Sequence, residues 1–199
     1  MYEIHDEDTG MMWRAFSYLQ YGTARQREAY ACLQELGVMT TLKEFHPTLV
    51  STICIDIDVE TSDLDVICQF NDSRAFSECL RTTYKDYPHF VLFPLDPQTR
   101  AVVARFESEG FLVEVFGQPL PVWQQNAYRH LTIMARLLSF GGDSLREAVR
   151  ELKRRGVKSE AAFASCLGLV GDPYAALLAL ESLCDSKIDE MIKKRFQRQ

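Results

Sequence analysis

The sequence predicts an α+β fold, and three observations predict it. The stretch from Thr48 to Phe70 is β-branched and alternating, and a second strand pattern, FLVEVFG, covers 111–117. Beyond Gln118 the texture changes, and apolar residues recur at helical spacing to the end of the chain. A hydrophobic content of 47% over 199 residues is ample for a packed core. Residues 1–120 therefore read as an α/β core and 121–199 as a helical region packed on it, either as one continuous domain or as two lobes.

The elements follow in order. Thr23 suits an N-cap and Gly37 a C′ residue, which bound a first long helix with Ala24, Ala31, Leu33 and Leu36 among its apolar positions. Val38–Leu42 reads as a strand. The Thr48–Phe70 region is interrupted at Glu60-Thr61-Ser62. Asp72-Ser73 caps a helix through Tyr84, and strands at His89–Leu95 and Ala101–Phe106 flank the turn Asp96-Pro97-Gln98-Thr99. Gly110 precedes the 111–117 strand. Pro121 suits a first helical turn, and Trp123, Ala127, Leu131, Met134 and Leu138 share a stripe that runs to Phe140. Gly141-Gly142 stops that helix, Asp143 or Ser144 caps the next, and Gly156 ends it. Ser159 starts another helix, and Asp172-Pro173 opens one toward Cys184. The closing KKRFQRQ reads as a solvated basic tail.

Composition narrows the function classes. The formal charge is −6, from 22 basic and 28 acidic residues, which argues against a broad nucleic-acid-binding surface. Six cysteines lack CxxC or zinc spacing, and most read as small buried hydrophobes. The acidic start MYEIHDEDTG lacks a signal-peptide arrangement, and no apolar run reaches membrane-spanning length. A reduced, cytoplasmic protein without a membrane segment is expected. His5, His46 and His89 sit in a terminal or turn context with no second ligand at metal spacing.

The stretch with the most chemistry is SDLDVIC at 62–68. Asp63 and Asp65 head an otherwise apolar strand, and side chains two apart share a face. They lie about 6–7 Å apart, where two unit charges repel by roughly 2 kcal/mol at an effective dielectric near 20. A cation relieves that repulsion, and Mg²⁺ held by one or two carboxylates plus substrate phosphates is the common solution. Without one, the pair is a solvated strand end. Glu114 inside FLVEVFG is costly unless paired or metal-bound, and Ser51-Thr52 offers hydroxyls upstream.

The runs LVSTICIDIDVETSDLDVIC, FLVEVFGQPLPVWQQNAYRHL and KSEAAFASCLGLVGDPYAALLAL together resemble an uncharacterised bacterial family, domain of unknown function 4269, over roughly Gly22 to Leu183. That family is placed with the nucleotidyltransferase-like folds. The resemblance implies a mixed β-sheet with flanking helices. It makes Asp63 and Asp65 the metal-binding pair, with Glu114 as third acid or base. Ser51, Thr52 and Ser62 become phosphate contacts, and Ser51 stands where the pattern has a glycine. Its Cβ bears on any positive φ or close phosphate approach there. The implied reaction is Mg²⁺-dependent transfer of a nucleoside monophosphate from a nucleoside triphosphate to a hydroxyl of a small molecule or protein. The alternative is a weak or inactive relative that binds a nucleotide or a protein partner.

Supporting roles follow. Arg129 can neutralise phosphate charge and His130 can donate to it; otherwise Arg129 pairs with a carboxylate such as Glu114, and His130 is a satisfied core histidine. Gln118 can orient the Glu114 carboxylate or cap the following turn, and Asn126 stands behind the groups that contact the nucleotide. In ICIDIDV the alternation reads as an amphipathic strand with Asp56 and Asp58 toward water, whereas the resemblance makes it a loop over the phosphates, with Asp58 a contributor to the site. GDPY at 171–174 reads as a helix stop followed by a cap. KRRGVK at 153–158 reads as a helix C-terminus.

Overall fold

The computed structural model describes residues 16–196. The His5 and signal-peptide expectations, and the last three residues of the basic tail, lie outside them. The chain forms two compact units: one holds the described residues through Cys54 together with Ser62–Tyr128, the other Ile55–Thr61 and the chain from Arg129 on.

The first unit contains helices α1 (Ala24–Glu35), α2 (Val38–Thr41) and α3 (Ser73–Tyr84), with strands β1 (Thr48–Leu49), β2 (Leu64–Gln69), β3 (Val91–Phe93), β4 (Val102–Ser108) and β5 (Phe111–Gln118). The strands form one mixed sheet in the order β1-β2-β5-β4-β3. Only β2 and β5 run parallel; the other neighbours are antiparallel. The fold is thus α+β with a mixed sheet.

Local sequence explains most boundaries. Thr23 and Gln26 form a reciprocal capping box on α1, and Gly37 takes the left-handed conformation after it at φ 59°. Asp72 caps α3 by accepting from the amides of Arg74 and Ala75. Asp96 accepts from the amides of Gln98 and Thr99 in the expected turn. Glu109 and Gly110, both at positive φ, make a two-residue hairpin that pairs Ser108 with Phe111.

The core lies against one sheet face. Val66, Cys68, Ala104, Phe106, Val113, Val115 and Gly117 alternate toward that side and are buried. Phe76, Leu80 and Tyr84, four residues apart on α3, are buried with them. Tyr84 stacks on Phe106 with centroids 4.7 Å apart, and Phe76 lies 5.3 Å from Phe70. Gly117 is dictated by that packing, because a Cβ there would come within 2.3 Å of the Phe76 ring.

The second unit carries most of α4 (Asn126–Arg154), with α5 (Ser159–Leu167), α6 (Pro173–Leu178) and α7 (Asp185–Phe196). Gly142 breaks α4 at φ 54°, ψ −150°, so the expected stop appears as a kink between two helical stretches. Pro121 opens a 3₁₀ turn, Val122–Gln124, and α4 proper starts at Asn126. Asp172 caps α6 with Pro173 behind it. The KKRF of the basic tail belongs to α7, where Ile188 and Ile192 are buried. Arg195 packs against Gly168, whose left-handed conformation ends α5. Among the described residues, no helix is long and apolar enough to cross a membrane.

Two expectations are corrected. Val38–Leu42 is the short helix α2 rather than a strand, because Gly37 redirects the chain and its carbonyl accepts from the amides of Thr40 and Thr41. ICIDIDV is not a strand either. A 3₁₀ turn covers Thr52–Ile55 and Asp56 sits at φ 56°. Arg146 donates to the Ile55 carbonyl at 2.7 Å, and Arg150 pairs with the Asp56 carboxylate. Ile53, Ile55 and Ile57 are buried as the alternation implied, but in a turn held by two arginines.

Gly117→Val would force a branched side chain into the Phe76 ring. Urea unfolding should show a loss of about 1–3 kcal/mol with an unchanged slope.

Candidate functional site

The site is built around the entry to β2. Asp63 is the residue before the strand and Asp65 its second residue, both half-buried between the buried Ser62, Leu64 and Val66. The preceding turn is clamped alongside them. The Val50 amide donates to the Asp65 carbonyl at 2.8 Å, and Ser51 Oγ donates to the Asp63 carbonyl at 2.6 Å. Ser51 Oγ also accepts from the Ile53 amide at 3.3 Å, and the residue is fully buried. Ser51 does not have a positive φ, so replacing glycine here strains no backbone. Its hydroxyl acts within the protein, where it fixes the turn to the strand that carries the acids. Thr52 follows at the start of the 3₁₀ turn, half-buried, and Ser62 is buried.

The parallel pairing brings the third carboxylate into line. Asp65 lies opposite Glu114 in the β2–β5 register, and the two side chains point to the same face. Adjacent strands are about 4.8 Å apart. Across the next pair Glu114 faces Arg105, whose Nε donates to Glu114 Oε2 at 2.5 Å. Glu114 is therefore partly exposed and paired, not buried alone as the strand pattern suggested. Burial chiefly, with the charge of Asp65 adding to it, pushes the Cys54 thiol up to about 12, so this cysteine stays a neutral neighbour of the acids.

Among the described residues, no group of three or more His, Cys, Asp or Glu side chains is gathered to hold a metal. A structural cage is thus not what the carboxylates offer. What Asp63, Asp65 and Glu114 offer is a set of carboxylate oxygens, which are hard donors.

In the second unit, Arg129 makes a two-pronged ion pair with Glu181, Nη2 to Oε2 at 2.6 Å and Nε to Oε1 at 3.1 Å. His130 is buried, with Nε2 3.1 Å from the Tyr174 carbonyl and Nδ1 3.7 Å from Glu160. These contacts match the structural alternative drawn from the sequence, except that the carboxylate is Glu181 and not Glu114. Asp58 is half-buried, and burial foremost raises its carboxyl above the usual carboxylate range. In the first unit, the Gln118 carbonyl accepts from the Phe70 amide, and Asn126 begins α4.

Two residues escaped the sequence reading. Gln125 is buried, and its Nε2 donates to the carbonyls of Cys68 and Leu120 at 2.9 Å, which ties the end of β2 to the approach to α4. Arg105 was missed although a signal existed. A two-residue Glu109-Gly110 turn sets the hairpin register, and counting outward from it pairs Arg105 with Glu114.

The raised Asp58 carboxyl has a definite sign. An acid whose folded pKa is raised destabilises the fold while ionised, and that cost disappears as pH falls through the folded value. Asp58→Asn should therefore unfold at higher denaturant than wild type near neutral pH, and the difference should close by about pH 4.

No curated protein and no solved structure matches the chain. One family model does match, spanning residues 31–180 and so the β2–β5 acids and the helices α4, α5 and α6, and by that match the chain belongs to the family described as Domain of unknown function (DUF4269).

Proposed function

We propose that this protein is a metal-dependent nucleotidyltransferase-like enzyme that moves a nucleoside monophosphate from a nucleoside triphosphate to a hydroxyl of a small molecule or protein. The observation that carries the reading is the register of the parallel pair, which sets Asp65 beside Glu114 on one face, with Asp63 immediately before the strand. Carboxylates on neighbouring strands are hard oxygen donors, and Mg²⁺ held by one or two of them together with phosphate is the usual device of phosphoryl transfer.

Within this reading Asp63 and Asp65 hold Mg²⁺. When bound, the ion neutralises triphosphate charge and favours ionisation of an acceptor hydroxyl. The chain's own part is positional. Ser51 fixes the Asp63 carbonyl through its 2.6 Å hydrogen bond, and the Val50–Asp65 bond keeps the turn beside the strand. Thr52 and Ser62 supply the hydroxyls toward the phosphates in this reading. In this reading Glu114 takes the acceptor's proton. The charge of −6 fits a small or protein acceptor better than a long nucleic acid.

A second reading, nucleotide binding without transfer, is favoured by one observation. Glu114 accepts a hydrogen bond from the Arg105 guanidinium, which competes with its use as a base.

Thermal unfolding with each nucleoside triphosphate, with and without Mg²⁺, tests binding. One triphosphate should stabilise the wild type only with Mg²⁺, by about 2.7 kcal/mol at 100 times its dissociation constant, and Asp63→Asn should lose the shift. No shift with any nucleotide defeats the proposal. Glu114→Gln separates the two readings. Under transfer, measured as release of pyrophosphate, turnover should fall by about 100-fold or more while the thermal shift persists; under binding alone, neither protein releases pyrophosphate.

A further inference from the structure

A surface hollow of about 410 Å³ lies where the chain turns from α2 into β1. That volume falls within the roughly 300–1,000 Å³ of small-molecule sites. Among the described residues it is lined by Met39, Lys43, Glu44, His46 and Pro47, all from the first unit. It shares no residue with the carboxylates of β2 and β5.

The wall of the hollow is fixed from beneath. Leu42 is fully buried, the Phe45 amide donates to its carbonyl at 2.8 Å, and the Phe45 ring meets Phe76 edge-on with centroids 4.9 Å apart. His46 stands in the left-handed region at φ 51°, ψ 54°, which histidine enters more readily than most residues. Its amide donates to the Lys43 carbonyl at 3.2 Å, and its own carbonyl accepts from Thr48 Oγ1 at 3.4 Å, so the backbone that carries the ring is tied on both sides. Pro47 is buried, and Thr48 pairs with Ile67 at the start of β1. Lys43, Glu44 and His46 are exposed on this fixed turn, and none of the three side chains makes a hydrogen bond or ion pair with another described residue.

We propose that this hollow binds a free α-amino acid with an apolar side chain. Lys43 carries only donors and meets the carboxylate; Glu44 carries only acceptors and meets the ammonium; the His46 ring adds a polar contact between them. Met39 and Pro47 supply the apolar contact, and the thioether of Met39 suits an aromatic ring. A plain anion would face Glu44 with like charge, and a plain cation would face Lys43 in the same way. Both charges on one small apolar molecule match the whole lining.

L-Phenylalanine is the probe, titrated calorimetrically in the absence of metal and nucleotide beside 3-phenylpropanoate, which lacks the ammonium, and 2-phenylethylamine, which lacks the carboxylate. Phenylalanine should bind, and each analogue should bind roughly tenfold or more weakly. Lys43→Gln should erase the preference for phenylalanine over 2-phenylethylamine, and Glu44→Gln the preference over 3-phenylpropanoate. Both side chains are exposed, so both variants should keep the fold, which circular dichroism verifies. His46→Gly suits the left-handed backbone, so it should unfold no more easily than wild type while binding phenylalanine more weakly. No binding of phenylalanine, equal binding of either analogue, or unchanged selectivity in either charge variant overturns the proposal. None of these outcomes bears on the triphosphate reading, whose thermal shift depends on Asp63.

Discussion

The parallel pairing of β2 with β5 is the constraint on which the rest of the first unit depends. Parallel strands cannot be joined by a tight turn, so the chain must leave the sheet, cross it and return. Here α3 makes the crossing and the β3–β4 segment extends the sheet before β5 comes back beside β2. That route decides which face α3 covers. It also explains Gly117, which sits where the Phe76 ring meets the sheet and has no room for a side chain.

Covering one face with Phe76, Leu80 and Tyr84 gives the strands their alternation, and the alternation in turn places the acids. Leu64 and Val66 go to the core, so Asp65 goes to the other face; Val113 and Val115 do the same for Glu114. The apolar half of each strand thereby sets the polar half without any direct selection on distance between carboxylates. The fold meets the Glu114 carboxylate locally by setting Arg105 against it.

The second unit uses charge differently. Arg146 and Arg150 hold the Ile55–Asp56 turn, Arg129 pairs with Glu181, and Arg136 pairs with Asp185. Each of these tethers residues far apart in sequence, and His130 between Tyr174 and Glu160 does the same from a buried position. Partly exposed pairs of this kind add little stability one by one. Their effect here is to specify which turn and which helix lie together. Arg195 at Gly168 adds to the pattern, since only a glycine leaves room for the guanidinium at the end of α5.

Capping residues and turn chemistry were legible because they act within a few residues: Thr23 with Gln26, Asp72, Asp96 and Asp172 all end up where their side chains satisfy nearby amides. Alternation in SDLDVIC and FLVEVFG was legible for the same reason, because strand geometry alone sends Asp65 and Glu114 away from their apolar neighbours. ICIDIDV misled because its period matches a strand while its backbone partners are distant arginines, and no local rule reveals them. Val38–Leu42 misled because one left-handed glycine outweighed β-branched propensity. The sequence by itself determined the α+β class, most helix starts and the polar side of the strands on which Asp65 and Glu114 lie, since these follow from local backbone geometry and burial. Only the tertiary structure decided that β5 lies parallel to β2, that Glu114 stands level with Asp65, and that Arg105, Glu181 and Glu160 are the partners, because strand order and long-range ion pairs depend on how the whole chain packs.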